Sequence, residues 1–101
     1  MQIQFTDFPD AADDQLRTFA RGKVERLEKF FDRIVDVDVY LKEDNNPDKP
    51  STAGFRVNIP TDTLFAEESA ETYQEALDHA SRSMERQLKR WKEKHTAHLN
   101  R

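Results

Sequence analysis

The segment "IVDVDVYLK" restricts the fold more than any other stretch: apolar Val35, Val37, Val39 and Leu41 alternate strictly with Asp36, Asp38, Tyr40 and Lys42. Alternation with period two describes a strand with one apolar and one wet face, so it needs a second layer on one side only. Two later segments repeat the pattern. "FRVNI" sets Phe55, Val57 and Ile59 against Arg56 and Asn58, and "TLFAE" turns Leu64 and Ala66 inward and Phe65 toward the open face. At the start, "MQIQFT" alternates Ile3 and Phe5 with polar neighbours before "DFPD" supplies turn residues.

The covering layer must come from the two segments with helical periodicity. Between Ala12 and Phe31, Leu16, Phe19, Ala20, Val24, Leu27 and Phe31 recur at steps of three and four, with Asp10 or Asp13 placed to cap. Gly22 interrupts this stripe at about 1 kcal/mol relative to Ala, which suggests a point of close approach. Near Ser69 to Thr72 a second helix begins, where Thr72 and Glu75 have capping-box spacing. Its stripe is Tyr73, Ala76, Leu77, Ala80, Met84, Leu88 and Trp91. Carried to about His95, it is too long for a sheet of short strands, and its basic end is expected to project beyond the core. Between the second and third strands, Glu43 to Ala53 is polar and rich in Asn, Pro and Asp, and reads as a long mobile connection.

The expected fold is therefore α+β in the order β-α-β-β-β-α. It has a four-stranded mixed sheet, the first two strands parallel through a crossover, and both helices on one face. With 101 residues, no internal repeat and no Gly/Ser linker, residues 1–101 read as one domain. The absence of Cys removes disulfides and thiolate metal sites. No apolar run approaches the roughly 20 residues that span a bilayer, and the N-terminus lacks the pattern of a signal peptide, so no membrane partner and a cytoplasmic location are expected.

Charge is segregated along the chain. Residues 79–101 carry seven Lys or Arg against two Glu, a balance of +5, while residues 1–78 carry nine bases against eighteen acids, a balance of −9. From Arg82 to Lys94 six bases face only Glu85 and Glu93. At ~100° per residue Arg82, Arg86 and Lys89 fall opposite the Leu77/Met84/Leu88 stripe, with Arg90 and Lys92 on the flanks. Arg26, Lys29 and Arg33 share a flank of the first helix, and Lys23 lies near the edge of its apolar stripe. A solvated helix face whose cations complement the C-terminal dipole is the ordinary explanation for such residues. Their density favours a polyanion that relieves the repulsion.

Catalytic patterns are missing. His95 and His98 are spaced i, i+3 but without the companions of a recognised metal site, and Asp36 and Asp38 read as solvent-facing acids. With Gly22 and Gly54 the only glycines, no loop cradles a phosphate. No enzyme, cofactor, metal or small-molecule substrate is expected.

"MQIQFT", "LRTFARGKVERLEKFFDRI", "VDVYLK", and later "ALD" with "ERQLKRWKEK", resemble the short ribosome hibernation promoting factor and ribosome-associated inhibitor A family. "LEKFFDRI" is the most specific of these. The resemblance implies a fold similar to a double-stranded-RNA-binding domain. It also implies a partner, the small ribosomal subunit and its ribosomal RNA, where the protein would block the messenger and transfer RNA sites sterically. By position it nominates Lys23, Arg26 and Arg33, then Arg86, Arg90, Lys92 and Lys94, as RNA contacts; Arg82 and Lys89 are added by the ridge alone. The sequence stops soon after the second helix, as short members do. The alternative is a protein-protein adapter on the same scaffold, using Tyr40 and Phe65 on the open face.

Overall fold

The computed structural model describes residues 1–8 and 13–99. The elements are β1 (Gln2–Thr6), α1 (Asp13–Phe30), β2 (Asp36–Glu43), β3 (Ser51–Ile59), β4 (Asp62–Ala70) and α2 (Tyr73–Leu99). The sheet order is β1-β2-β3-β4, with β1 parallel to β2 and the other pairs antiparallel. This is the expected β-α-β-β-β-α arrangement.

Register explains the layering. Ile3 pairs with Val37, Val37 with Val57 and Val57 with Leu64, while Phe5, Val39, Phe55 and Ala66 form the next row. These rows meet Ala20, Val24, Leu27 and Phe31 from the α1 segment and Ala76, Leu77, Ala80, Met84 and Leu88 of α2 in one core. Phe55 at its centre is fully buried. Burial of one such side chain is worth about 1.5–3 kcal/mol. At the start of α2, the Thr72 hydroxyl accepts the Glu75 N–H at 3.1 Å, one of the donors a helix start leaves open. After β1, Asp7 takes a φ of 60°, a left-handed conformation that Asp tolerates in a turn.

Four expectations are corrected. Val35 precedes β2 and is 53% exposed, donating its N–H to Asn58 O at 2.8 Å. The connection from β2 to β3 is only 44–50, because Ser51, Thr52, Ala53 and Gly54 are buried strand residues. It is also tied down: Asp44 N–H reaches Pro50 O at 2.7 Å and Asp48 N–H reaches Asn46 Oδ1 at 2.9 Å. The third correction concerns glycine. Gly22 is exposed and a Cβ there would touch nothing, whereas a Cβ on Gly54 would overlap the ring of Tyr40. Tyr40 faces Gly54 across the β2–β3 pair and lies over it. Finally, Asp13 is the first residue of α1 rather than a residue before it, and Asp10 lies outside the described residues.

The open face is a network of short polar links. Thr6 donates to Asp38 at 2.8 Å, Arg56 pairs with Asp38 at 3.8 Å, and Asn58 donates to Asp36. The two aspartates are thus satisfied by neighbours across strands. Tyr40 donates its hydroxyl to Glu67 Oε1 at 2.7 Å. Partial burial, followed by the Glu67 carboxylate, pushes the Tyr40 phenol up to about 12. Since the unfolded phenol titrates near 10, this contribution to stability is complete below pH 10 and is lost as pH rises toward 12. Ultraviolet titration of tyrosinate should show the Tyr40 phenol ionising late in the native protein, and Glu67→Gln should remove part of that delay while burial keeps the rest.

Candidate nucleic-acid interface

α1 and α2 lie side by side over the sheet, and the seam between them is an open groove. Lys23, Arg26 and Phe30 line it from α1, and Asp78, Ser81, Arg82, Glu85, Arg86 and Lys89 from α2. The expected ridge of Arg82, Arg86 and Lys89 is therefore the shoulder of α2 that borders α1, not the side turned away from the core. A helical projection gives angles around one axis and cannot say on which side a second helix will pack.

The bases in this groove differ in how they are held. Lys23 donates to Asp78 Oδ1 at 2.7 Å, with both side chains about three-quarters buried. Its aliphatic stem lies along the core edge and its ammonium stands 4.9 Å from the Phe19 ring. The hydrogen bond from Lys23 holds the Asp78 carboxyl below the usual carboxylate range, and the charge of Arg82 acts in the same direction. Arg82 meets Asp78 through Nε at 3.3 Å, and Arg26 meets Glu85 through Nε at 3.5 Å. Arg86, Lys89, Arg90 and Lys94 are exposed and have no ion-pair partner among the described residues.

Arg33 is not on the flank of α1. The helix ends at Phe30, and Arg33 sits in the following turn with its guanidinium 5.5 Å from the Phe31 ring and 5.6 Å from the Trp91 ring. Trp91 packs edge-on to Phe31, stacks against His95 at 3.7 Å and donates its indole N–H to Asp62 at 2.7 Å. Lys92 lies 5.6 Å over Phe30. Aromatic contacts thus fix Arg33 and Lys92 at the foot of the basic helix end, each with its charge still open to solvent. Past Leu88, the last fully buried residue among those described, Arg90, Lys92 and Lys94 continue the basic surface of α2.

Lys23, Arg26, Arg82, Arg86 and Lys89 are therefore brought to one groove, and Arg33, Arg90, Lys92 and Lys94 prolong its charge along α2. What sequence reasoning missed is the acids: Asp78 and Glu85 stand inside the groove. Their spacing from Arg82 and Lys89 at i, i+4 was visible, but the partners on α1 are not. On the opposite side of the molecule, Tyr40 is occupied by Gly54 and Glu67, which leaves Phe65, 57% exposed, as the exposed large apolar side chain of that face among the described residues. Among the described residues no group of His, Cys, Asp and Glu could hold a metal, and no helix is long and apolar enough to cross a membrane.

A one-sided sheet, two helices over it and a basic groove between the helices define a two-layer α+β module. The chain belongs to the Sigma 54 modulation protein / S30EA ribosomal protein family, whose profile matches residues 1–96. It is 30% identical over 81 residues to a ribosome hibernation promotion factor of Deinococcus radiodurans, covering 78% of this chain and 42% of the relative. The chain thus spans less than half the length of that relative. Among solved structures it is similar to a ribosomal subunit interface protein from Coxiella burnetii, with a TM-score of 0.74, 24% identity, and coverage of 91% of this chain and 98% of that one. The N-terminal domain of Protein Y from Thermus thermophilus gives a TM-score of 0.67 at 24% identity, covering 89% and 94%. At that identity the structural likeness establishes the fold. The family match runs over nearly the whole chain, so membership rests on sequence as well as on fold.

Proposed function

We propose that this chain is a ribosome hibernation factor that binds the small subunit through phosphates of ribosomal RNA and inhibits translation by occupying the messenger and transfer RNA sites. The observation that carries the reading is the convergence of bases from both helices on one groove, continuous with the unpaired bases of α2, in a chain whose first 78 residues carry a balance of −9. A net acidic protein gains by gathering its cations where a polyanion lies, because the remaining acids then oppose misplaced binding. Phosphate contacts would position the module, and the shape of the two-helix face would select the site. No step of catalysis is involved, and the protein acts in the cytoplasm, where its partner is.

Binding should be strongly salt-dependent. With about five phosphates neutralised, affinity for isolated small subunits should fall by roughly 100-fold or more between about 50 and 200 mM monovalent salt, linearly on a logarithmic plot. Co-sedimentation across a salt series measures this. Binding that ignores salt would point instead to an adapter acting through the open face around Phe65.

A further inference from the structure

Two arginines of the groove share a geometry that a merely solvated face does not require. Arg26 on α1 and Arg82 on α2 each meet an acid of α2 through Nε, at 3.5 Å to Glu85 and 3.3 Å to Asp78. Contact through Nε leaves the two terminal nitrogens, the fork that matches a phosphate, to point elsewhere. The side chains of Arg26 and Arg82 are 72% and 70% exposed, whereas those of Glu85 and Asp78 are 32% and 27% exposed, so the acids are the fixed members of each pair. Asp78 is fixed further by Lys23, whose ammonium binds its other oxygen at 2.7 Å.

We infer that Asp78 and Glu85 are positioning residues, which hold Arg82 and Arg26 with their terminal nitrogens presented to a phosphate in the interhelical groove. This rests on the RNA-binding reading and adds to it a role for the two acids that sit inside a basic site. An acid in such a place should, by charge alone, weaken anion binding. The magnitudes decide otherwise. A phosphate on the far side of a guanidinium feels the carboxylate through solvent and salt, a repulsion worth about a factor of two. Freezing a free arginine side chain on binding weakens affinity by roughly two- to tenfold, and a side chain already held loses less. The acid therefore helps more than it repels.

The test uses the full chain, inorganic tripolyphosphate as a probe and isolated small subunits as the proposed partner. Glu85→Ala and Asp78→Asn each remove an acid. The Nε–Hε resonances of Arg26 and Arg82, followed by nuclear magnetic resonance, report whether each side chain is held and whether it meets the probe. In the parent both resonances should shift together on titration. Each variant should weaken binding by a net factor of up to about five, the ordering loss less the twofold repulsion removed with the acid, while its own arginine resonance moves to the averaged position of a free side chain, and Glu85→Asp should restore part of the loss. Thermal unfolding separates this from a folding defect, which matters most for Asp78 because it also ties α2 to Lys23. Variants that bind tripolyphosphate as tightly as the parent, or more tightly, overturn the inference. Small subunits that bind the parent and the variants equally leave the ribosomal reading standing and remove this one. Loss of tripolyphosphate binding in the variants, with no co-sedimentation even of the parent, keeps the phosphate grip and overturns the ribosomal partner.

Discussion

Replacing Arg86, Arg90 and Lys92 together by Glu should abolish binding to the small subunit while leaving the protein folded. All three side chains are exposed, and none lies on the Ala76/Leu77/Ala80/Met84/Leu88 stripe that fills the core. Exposed substitutions away from special features cost within about 0.5 kcal/mol each. Lys92 also loses its position over Phe30, a further cost of about 0.5–1 kcal/mol. On the binding side, each charge-assisted contact contributes about 1.5–3 kcal/mol. Removal of three corresponds to about a thousandfold or more, at 1.4 kcal/mol per decade, before the new repulsion is added. Asp48→Asn, an exposed acid in the β2–β3 turn, is the control and should bind like the parent. Thermal unfolding alongside co-sedimentation gives the comparison. A folded triple variant that still binds would reduce the basic shoulder to a solvated helix face.

The layering of this fold was legible because its signals are local. Alternation in 37–41 and 55–59 assigns each residue to a face without knowledge of any partner strand, and the α2 stripe from Tyr73 to Trp91 does the same for the helix. Signals failed where the outcome depends on what packs nearby. Val35 continues the alternation perfectly, yet it lies before β2 and stays exposed. "STAG" has the composition of a loop. It is buried strand because the Tyr40 ring fills the space over Gly54, and because the Thr52 hydroxyl finds Ser69 at 2.6 Å. At the candidate site the bases could be counted from the sequence. Their restraint by Asp78 and Glu85 could not, since Lys23 and Asp78 are 55 residues apart and only helix packing joins them.

The two glycines should respond in opposite directions to the same substitution. Neither has a positive φ, so backbone strain does not distinguish them and the outcome rests on space alone. At Gly22 an added methyl meets nothing on an exposed helix face, and Gly22→Ala should stabilise by about 0.5–1 kcal/mol. At Gly54 the methyl must displace the far end of the Tyr40 ring. Overpacking of this kind costs about 1–3 kcal/mol, and the lost hydrogen bond to Glu67 adds about 0.5–1.5 kcal/mol. Less the usual gain of Ala over Gly, Gly54→Ala should be destabilised by about 1–3 kcal/mol. For a chain of this size that lowers the Tm by roughly 5–15 °C. Its Tyr40 phenol, released from Glu67, should also titrate nearer its ordinary value. The cause is checked by a double-mutant cycle. In a Tyr40→Ala background the ring is gone, so Gly54→Ala should become neutral or stabilising, and the coupling between the two sites should exceed about 1 kcal/mol. Binding to the small subunit at temperatures where each variant is folded should match the parent, because Tyr40 and Gly54 lie on the sheet face away from the helices. If Gly54→Ala proves as stable as the parent, the ring swings aside freely, and the seat over Gly54 is not a constraint on the fold.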